Sequence, residues 1–142
     1  MNSFFLSILL LFPIMIYEAE NSNTLHIHVH HANSDRGQIR ILIFSQADGF
    51  PDRIEKAVKN YSVVPKNKEC ELAVQGLPPG LYAISVIHDE DGNGKLNTNP
   101  VGYPTEKYGF SNNPKVYFSP PSFEKASFEL KNGPHTVRIN LR

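Results

Sequence analysis

The chain has 142 residues, enough for one domain with a real core and too few for two of ordinary size. Hydrophobic residues make up 40% and charged residues 20%, which excludes a disordered polymer. Lys plus Arg equals Asp plus Glu, 14 against 14, with no basic run; nucleic acid, which needs a basic surface, is excluded as the main partner.

The first element is Phe4 to Ile16 (FFLSILLLFPIMI), an apolar run interrupted by Pro13. It is shorter than the about 20 residues of a membrane-spanning helix and fits the apolar part of a secretory signal. The best cleavage point follows Ala19, which divides the chain into a signal peptide over 1–19 and one β-sandwich domain over 24–142. An uncleaved anchor and a buried segment are the competing readings, because no Lys or Arg precedes the run and bulky Tyr17 lies near the cleavage point. The expected protein is exported (periplasmic, cell-surface or secreted), with no stable membrane span after cleavage.

Beyond the signal the apolar period is two, which marks half-buried strands. Leu25, Ile27 and Val29 alternate with His26, His28 and His30, and Ile39, Ile41 and Ile43 with Gln38 and Arg40. Pro51 to Tyr61 breaks the pattern: Ile54, Ala57, Val58 and Tyr61 stand at i, i+3, i+4 and i+7, the stripe of a short crossover helix. Strands resume at Cys70–Leu72–Val74, Tyr82–Ile84–Val86, the short pair Val116–Phe118, Ala126–Phe128–Leu130 and His135–Val137–Ile139–Leu141. The expected fold is all-β: an antiparallel prealbumin- or immunoglobulin-like sandwich of about seven strands with one short helix. Cys70, the single cysteine, shares its parity with Leu72 and Val74 and is expected to be an inert core thiol. The turn Gly76 to Tyr82 (GLPPGLY) suits a type II geometry, and similar turns occur in prealbumin-like and carboxypeptidase-regulatory-like sandwiches.

His26, His28 and His30 share one strand face, about 6.5 to 7 Å apart. Two imidazoles at that spacing can hold one zinc or copper; a solvent-facing polar stripe is the favoured reading.

The longest stretch without strand pattern is His88 to Asn113, HDEDGNGKLNTNPVGYPTEKYGFSNN. Loops of this length are uncommon in compact domains and are often functional. Its segments His88–Leu96, Gly102–Glu106 and Tyr108–Asn112, followed by Pro120–Phe128, resemble the bacterial domain of unknown function 2141 family, over about Gly37 to Leu141. The resemblance implies an exported, compact β domain and implies no activity.

Two physical readings compete for the loop. Asp89, Asp91 and Asn93 put oxygens at positions 1, 3 and 5 of a calcium loop, with Gly94, the Lys95 carbonyl and Asn97 following at 6, 7 and 9. Position 12 is Pro100, so Asn99 or Glu106 has to close the shell. The favoured alternative is a self-sufficient turn network, since Asp91-Gly92 and Asn93-Gly94 are hairpin dipeptides. Tyr103, Tyr108 and Phe110 form either a stacking platform for a ligand or a satellite core packed under Pro100 and Pro104, the latter favoured. His88 starts on the core face, and Ser111 with Asn112 ends the loop; His88 and Ser111 read as structural rather than catalytic.

The expected function is therefore a non-enzymatic exported module whose 88–113 loop binds calcium or an envelope or extracellular ligand. A structural protein of the cell envelope with an architectural loop is the alternative. A hydrolase-type enzyme using His88 and Ser111 is the third reading.

Overall fold

A computed structural model describes residues 23–142; the apolar run Phe4–Ile16 and the cleavage point after Ala19 lie outside the described residues. Among the described residues no helix is long and apolar enough to cross a membrane.

Among the described residues eight strands form two sheets, the all-β sandwich expected from the period-two pattern. The strands are β1 (Thr24–His30), β2 (Gln38–Phe44), β3 (Lys59–Val63), β4 (Cys70–Gln75), β5 (Gly80–Asp89), β6 (Tyr108–Phe110), β7 (Phe128–Leu130) and β8 (His135–Asn140). The first sheet has the order β4-β1-β8 and the second β3-β2-β5-β6, with β7 also pairing with β5. β6 pairs with Ser85–Ile87 and β7 with Gly80–Tyr82, so the two short strands lie end to end along one side of β5. All pairings are antiparallel except β1 with β8, which is parallel. A parallel pair needs a long connection, and nearly the whole domain lies between these two strands.

The main core fills the space between the sheets. Leu25, Ile27 and Val29 of β1 meet Ile39, Ile41 and Ile43 of β2, Val74 of β4, Tyr82, Ile84 and Val86 of β5 and Ile139 of β8. Cys70 belongs to this core, and burial pushes its thiol up to about 11, as expected of an inert side chain. The opposite face of the second sheet carries a smaller core of Phe44, Ala83, Phe110, Phe123 and Ala126, with Phe50 among them. β5 is therefore apolar on both faces along part of its length. The sheets are tied at the end of β8, where Arg142 and Tyr108 exchange backbone hydrogen bonds. Gly109 makes this approach possible: a Cβ there would lie 2.8 Å from Ile139 Cγ2 and 3.1 Å from the Asn140 carbonyl oxygen.

Two expected elements are placed differently. The helix over Pro51–Tyr61 does not form. A 3₁₀ turn spans Ile54–Lys56, Ala57 is extended, and the Val58 N–H reaches the Ile43 carbonyl to start β3. Tyr61 then pairs opposite Ile41, and the chain gains a ladder on β2 that an isolated short helix could not match. Ile54 and Val58 of the supposed stripe are exposed, at 45% and 43%. Among the described residues the single α-helical turn, α1, lies instead at Phe123–Ala126 and buries those two end residues. The pair Val116–Phe118 is not a strand: it lies between Pro114 and Pro120, residues that cannot donate to a ladder.

Candidate functional site

The outer face of the second sheet is covered over only part of its length. Strand register sets the side chains there in rows: Phe44 beside Ala83, then Leu42–Ser85–Phe110, then Arg40–Ile87–Tyr108. Phe50 and Phe123 close over the first row, with Phe50 edge-on to Phe44 at 5.4 Å and to Phe123 at 6.0 Å between ring centroids. The second and third rows floor an open cleft of about 720 Å³. One wall is the loop from Gly94 to Pro104, another is Val116 to Pro120, and Pro51 to Ile54 closes an end. The volume lies in the range of small-molecule sites.

The wall formed by the long loop is rigidly built. Asp89, 1% exposed, accepts the backbone N–H of Gly92 at 2.9 Å and of Asn93 at 3.1 Å on Oδ1, and that of Gly94 at 2.9 Å on Oδ2. Asp91 Oδ1 accepts the Asn93 N–H, while its Oδ2 accepts the side-chain amides of Asn93 and Asn97. These donors hold the Asp91 carboxyl below its ordinary range, the Asn97 amide foremost and the Asn93 N–H next. Asn93 Oδ1 accepts the Lys95 N–H at 2.8 Å. Glu106 folds back from the far limb, accepting the N–H of Glu90 at 2.9 Å and of Asn97 at 3.0 Å. Asn99 does not join them; its Oδ1 accepts the N–H groups of Val101 and Tyr103 and closes a separate turn.

Asp89, Asp91 and Glu106 can each offer an oxygen within 4.8 Å of the others, the group among the described residues with metal-ligand spacing. Their chemistry suits a hard cation such as calcium. The same oxygens are engaged by N–H donors, which is the geometry of the turn network.

His88 is fully enclosed: its Nδ1 accepts the Asn33 N–H at 3.1 Å, and Nε2 donates to the Arg36 carbonyl at 2.8 Å. This pairing fixes the neutral tautomer with its proton on Nε2. Ser111 is equally enclosed, its Oγ accepting the Ile84 N–H at 2.8 Å and donating to the Ala126 carbonyl. Asn112 donates to the Ser127 carbonyl at 2.6 Å. His88 therefore ties the start of the loop to the connection between β1 and β2, and Ser111 and Asn112 tie its end to β5 and to the end of α1.

The aromatic residues divide. Phe110 is 5% exposed and Tyr108 half-buried, both belonging to the smaller core. Tyr103 stands 51% exposed on the cleft wall. Pro100 and Pro104 are exposed, so the expected packing beneath them does not occur. The histidine stripe is half-buried on the outer face of the first sheet, with His28 Nδ1 3.5 Å from Glu71 and His30 Nδ1 3.1 Å from Glu69.

Sequence patterning missed the floor and second wall of the cleft, namely Arg40, Leu42, Ile87, Tyr117 and Phe118. One signal was present: in β5, Ala83 and Ile87 put apolar groups at positions that a half-buried strand leaves polar.

Fold and loop together define a small β-sandwich with an apolar cleft walled by a stapled acidic loop. The chain matches the family of uncharacterised proteins conserved in bacteria, DUF2141, over residues 27–138, and belongs to that family. No curated protein and no solved structure matches it.

Proposed function

We propose that this protein is an exported, non-enzymatic binding module that takes a small apolar ligand in the cleft on the outer face of the second sheet. One observation carries the reading. Of the eight large hydrophobic side chains left exposed among the described residues, Ile54, Val101, Tyr103, Tyr117 and Phe118 all line this cleft. Exposed apolar groups scattered singly need no explanation, but a concentration in one concavity marks a binding surface. The enclosure of His88 and Ser111, each spent on backbone partners, supports a binding role over a hydrolytic one. Export rests on the apolar run at Phe4–Ile16.

The test is a fluorescence titration with N-phenylnaphthylamine, a neutral aromatic probe that brightens in apolar sites. Saturable micromolar binding that weakens in Phe118→Ser is expected. Binding that does not saturate, or that ignores the substitution, removes the proposal.

A calcium-steadied loop is the competing reading, in which Asp89, Asp91 and Glu106 share an ion; the N–H donors already on these oxygens weigh against it. Thermal melting in calcium against chelator separates it from the bare turn network.

A further inference from the structure

We infer that the ligand of this cleft is an anion as well as an apolar body, held by Arg40 through a carboxylate, sulfonate or similar group. The inference rests on the binding reading above and adds the chemical class of the occupant.

Arg40 lies in the floor row nearest the loop, between the sheet and Gly94, with its side chain 28% exposed. A Cβ on Gly94 would stand 3.3 Å from Arg40 Nη1, and Gly94 has φ +81°. Glycine thus serves both the turn and the room over the guanidinium. The hydrogen bond Arg40 makes among the described residues is a long one, 3.5 Å from Nη1 to Asp89 Oδ2. This contact is an ion pair with a buried carboxylate that also accepts three backbone N–H groups, and it engages only Nη1 of the guanidinium. The rest of the donor fork has no protein acceptor among the described residues, and no side-chain nitrogen there is sealed from solvent without a partner. A planar fork with open donors at the edge of a largely apolar floor is suited to an anionic group.

The remaining charges on the cleft are polarised. Lys95 follows Gly94 and adds a second cation at the Arg40 end. Asp52 lines the other end, next to Pro51, whose carbonyl accepts the Ser85 hydroxyl one row along the floor. An amphipathic anion can therefore place its charge at Arg40 and its apolar body over Phe110 and against Phe118, away from Asp52.

The experiment compares two probes with the same aromatic skeleton, anilinonaphthalene sulfonate and neutral N-phenylnaphthylamine, on the full-length protein. The sulfonate is expected to bind at least about tenfold tighter. Arg40→Gln is expected to abolish the sulfonate's advantage, the ratio of the two probes' affinities measured on the same variant falling to about one. On the wild-type protein, the Arg40 side-chain N–H resonance should shift with the sulfonate and not with the neutral probe, which decides the matter even where Arg40→Gln does not fold. Equal affinities overturn the anion and leave the apolar site standing. A sulfonate advantage that survives Arg40→Gln, or an unmoved Arg40 resonance, overturns the assignment to Arg40. If neither probe binds, the binding reading and this inference fall together.

Discussion

Glu106 and Asn97 join the two limbs of the long loop: Glu106 Oε2 accepts the Asn97 backbone N–H at 3.0 Å, while Oε1 accepts that of Glu90 at 2.9 Å. Glu106 is 8% exposed, so its loss leaves two N–H donors poorly placed to find water. Glu106→Ala is expected to cost about 2–4 kcal/mol in urea unfolding, and Glu106→Gln, which keeps one acceptor oxygen, less. A Glu106→Ala protein within about 0.5 kcal/mol of wild type would show that the clamp holds nothing.

The two buried polar pins lead to a second expectation. His88→Leu leaves the Asn33 N–H and the Arg36 carbonyl without partners, and Ser111→Ala does the same to the Ile84 N–H. Each substitution is expected to destabilise the fold by about 1–3 kcal/mol. The readout is the denaturant midpoint at unchanged slope, since a changed slope would mean a changed native state.

How much of this was legible in the sequence depends on the range of the interaction. Alternation over Ile39–Ile43 or Tyr82–Val86 is a local signal, and it placed those strands and their buried faces. The Ile54–Tyr61 stripe is also local, yet the Val58 N–H and Tyr61 are claimed by β2, so pairing overrode helical spacing. The parallel β1–β8 pair joins Leu25 to His135 and leaves no local trace. The loop motif drew attention to Asp89, Asp91 and Glu106, which the fold brings together, each capping backbone a few residues away or one limb across. The cleft was hidden for the opposite reason: Arg40, Ile87 and Tyr108 share a row only after three separate segments pair.

Acid should weaken the loop. Asp91 is held below the usual carboxylate range, chiefly by the Asn97 amide, and Glu90 likewise, chiefly by the Ser34 hydroxyl. A carboxyl whose folded pKa is depressed stabilises the fold fully above its unfolded value, about 4, and loses that contribution as pH falls through the lower folded value. Unfolding free energy is therefore expected to be steady between about pH 7 and 5 from these groups and to decline below about 4. Asp91→Asn should flatten part of that decline in a urea series run at stepped pH. Stability that rises below pH 4 would contradict the assignment.

Calcium and chelator should give the same melting temperature within about a degree. The reason is occupancy: both Asp89 oxygens accept backbone N–H groups, and Asp91 Oδ2 accepts two amide donors. A bound ion at ten times its dissociation constant would add about 1.4 kcal/mol, a rise of a few degrees. A rise of that size in millimolar calcium, absent in Asp89→Asn, would make the loop a metal site.

The cleft walls allow stability and binding to be pulled apart. Phe118 is 92% exposed and Tyr117 73%, so neither gains much burial from the fold. Phe118→Ser and Tyr117→Ser are expected to change stability by less than about 0.5 kcal/mol. In the cleft the same rings would face an apolar ligand, and losing one is expected to weaken the neutral probe about tenfold, the effect of roughly 1.4 kcal/mol of lost contact. Val64→Ser is the matched control, since Val64 is 66% exposed and does not line the cleft. It removes a comparable exposed apolar group and should leave probe affinity at the wild-type value. Isothermal titration of the three variants decides the point. If Val64→Ser weakens binding as much as Phe118→Ser, the probe is reporting general surface hydrophobicity and the cleft has no special claim on it.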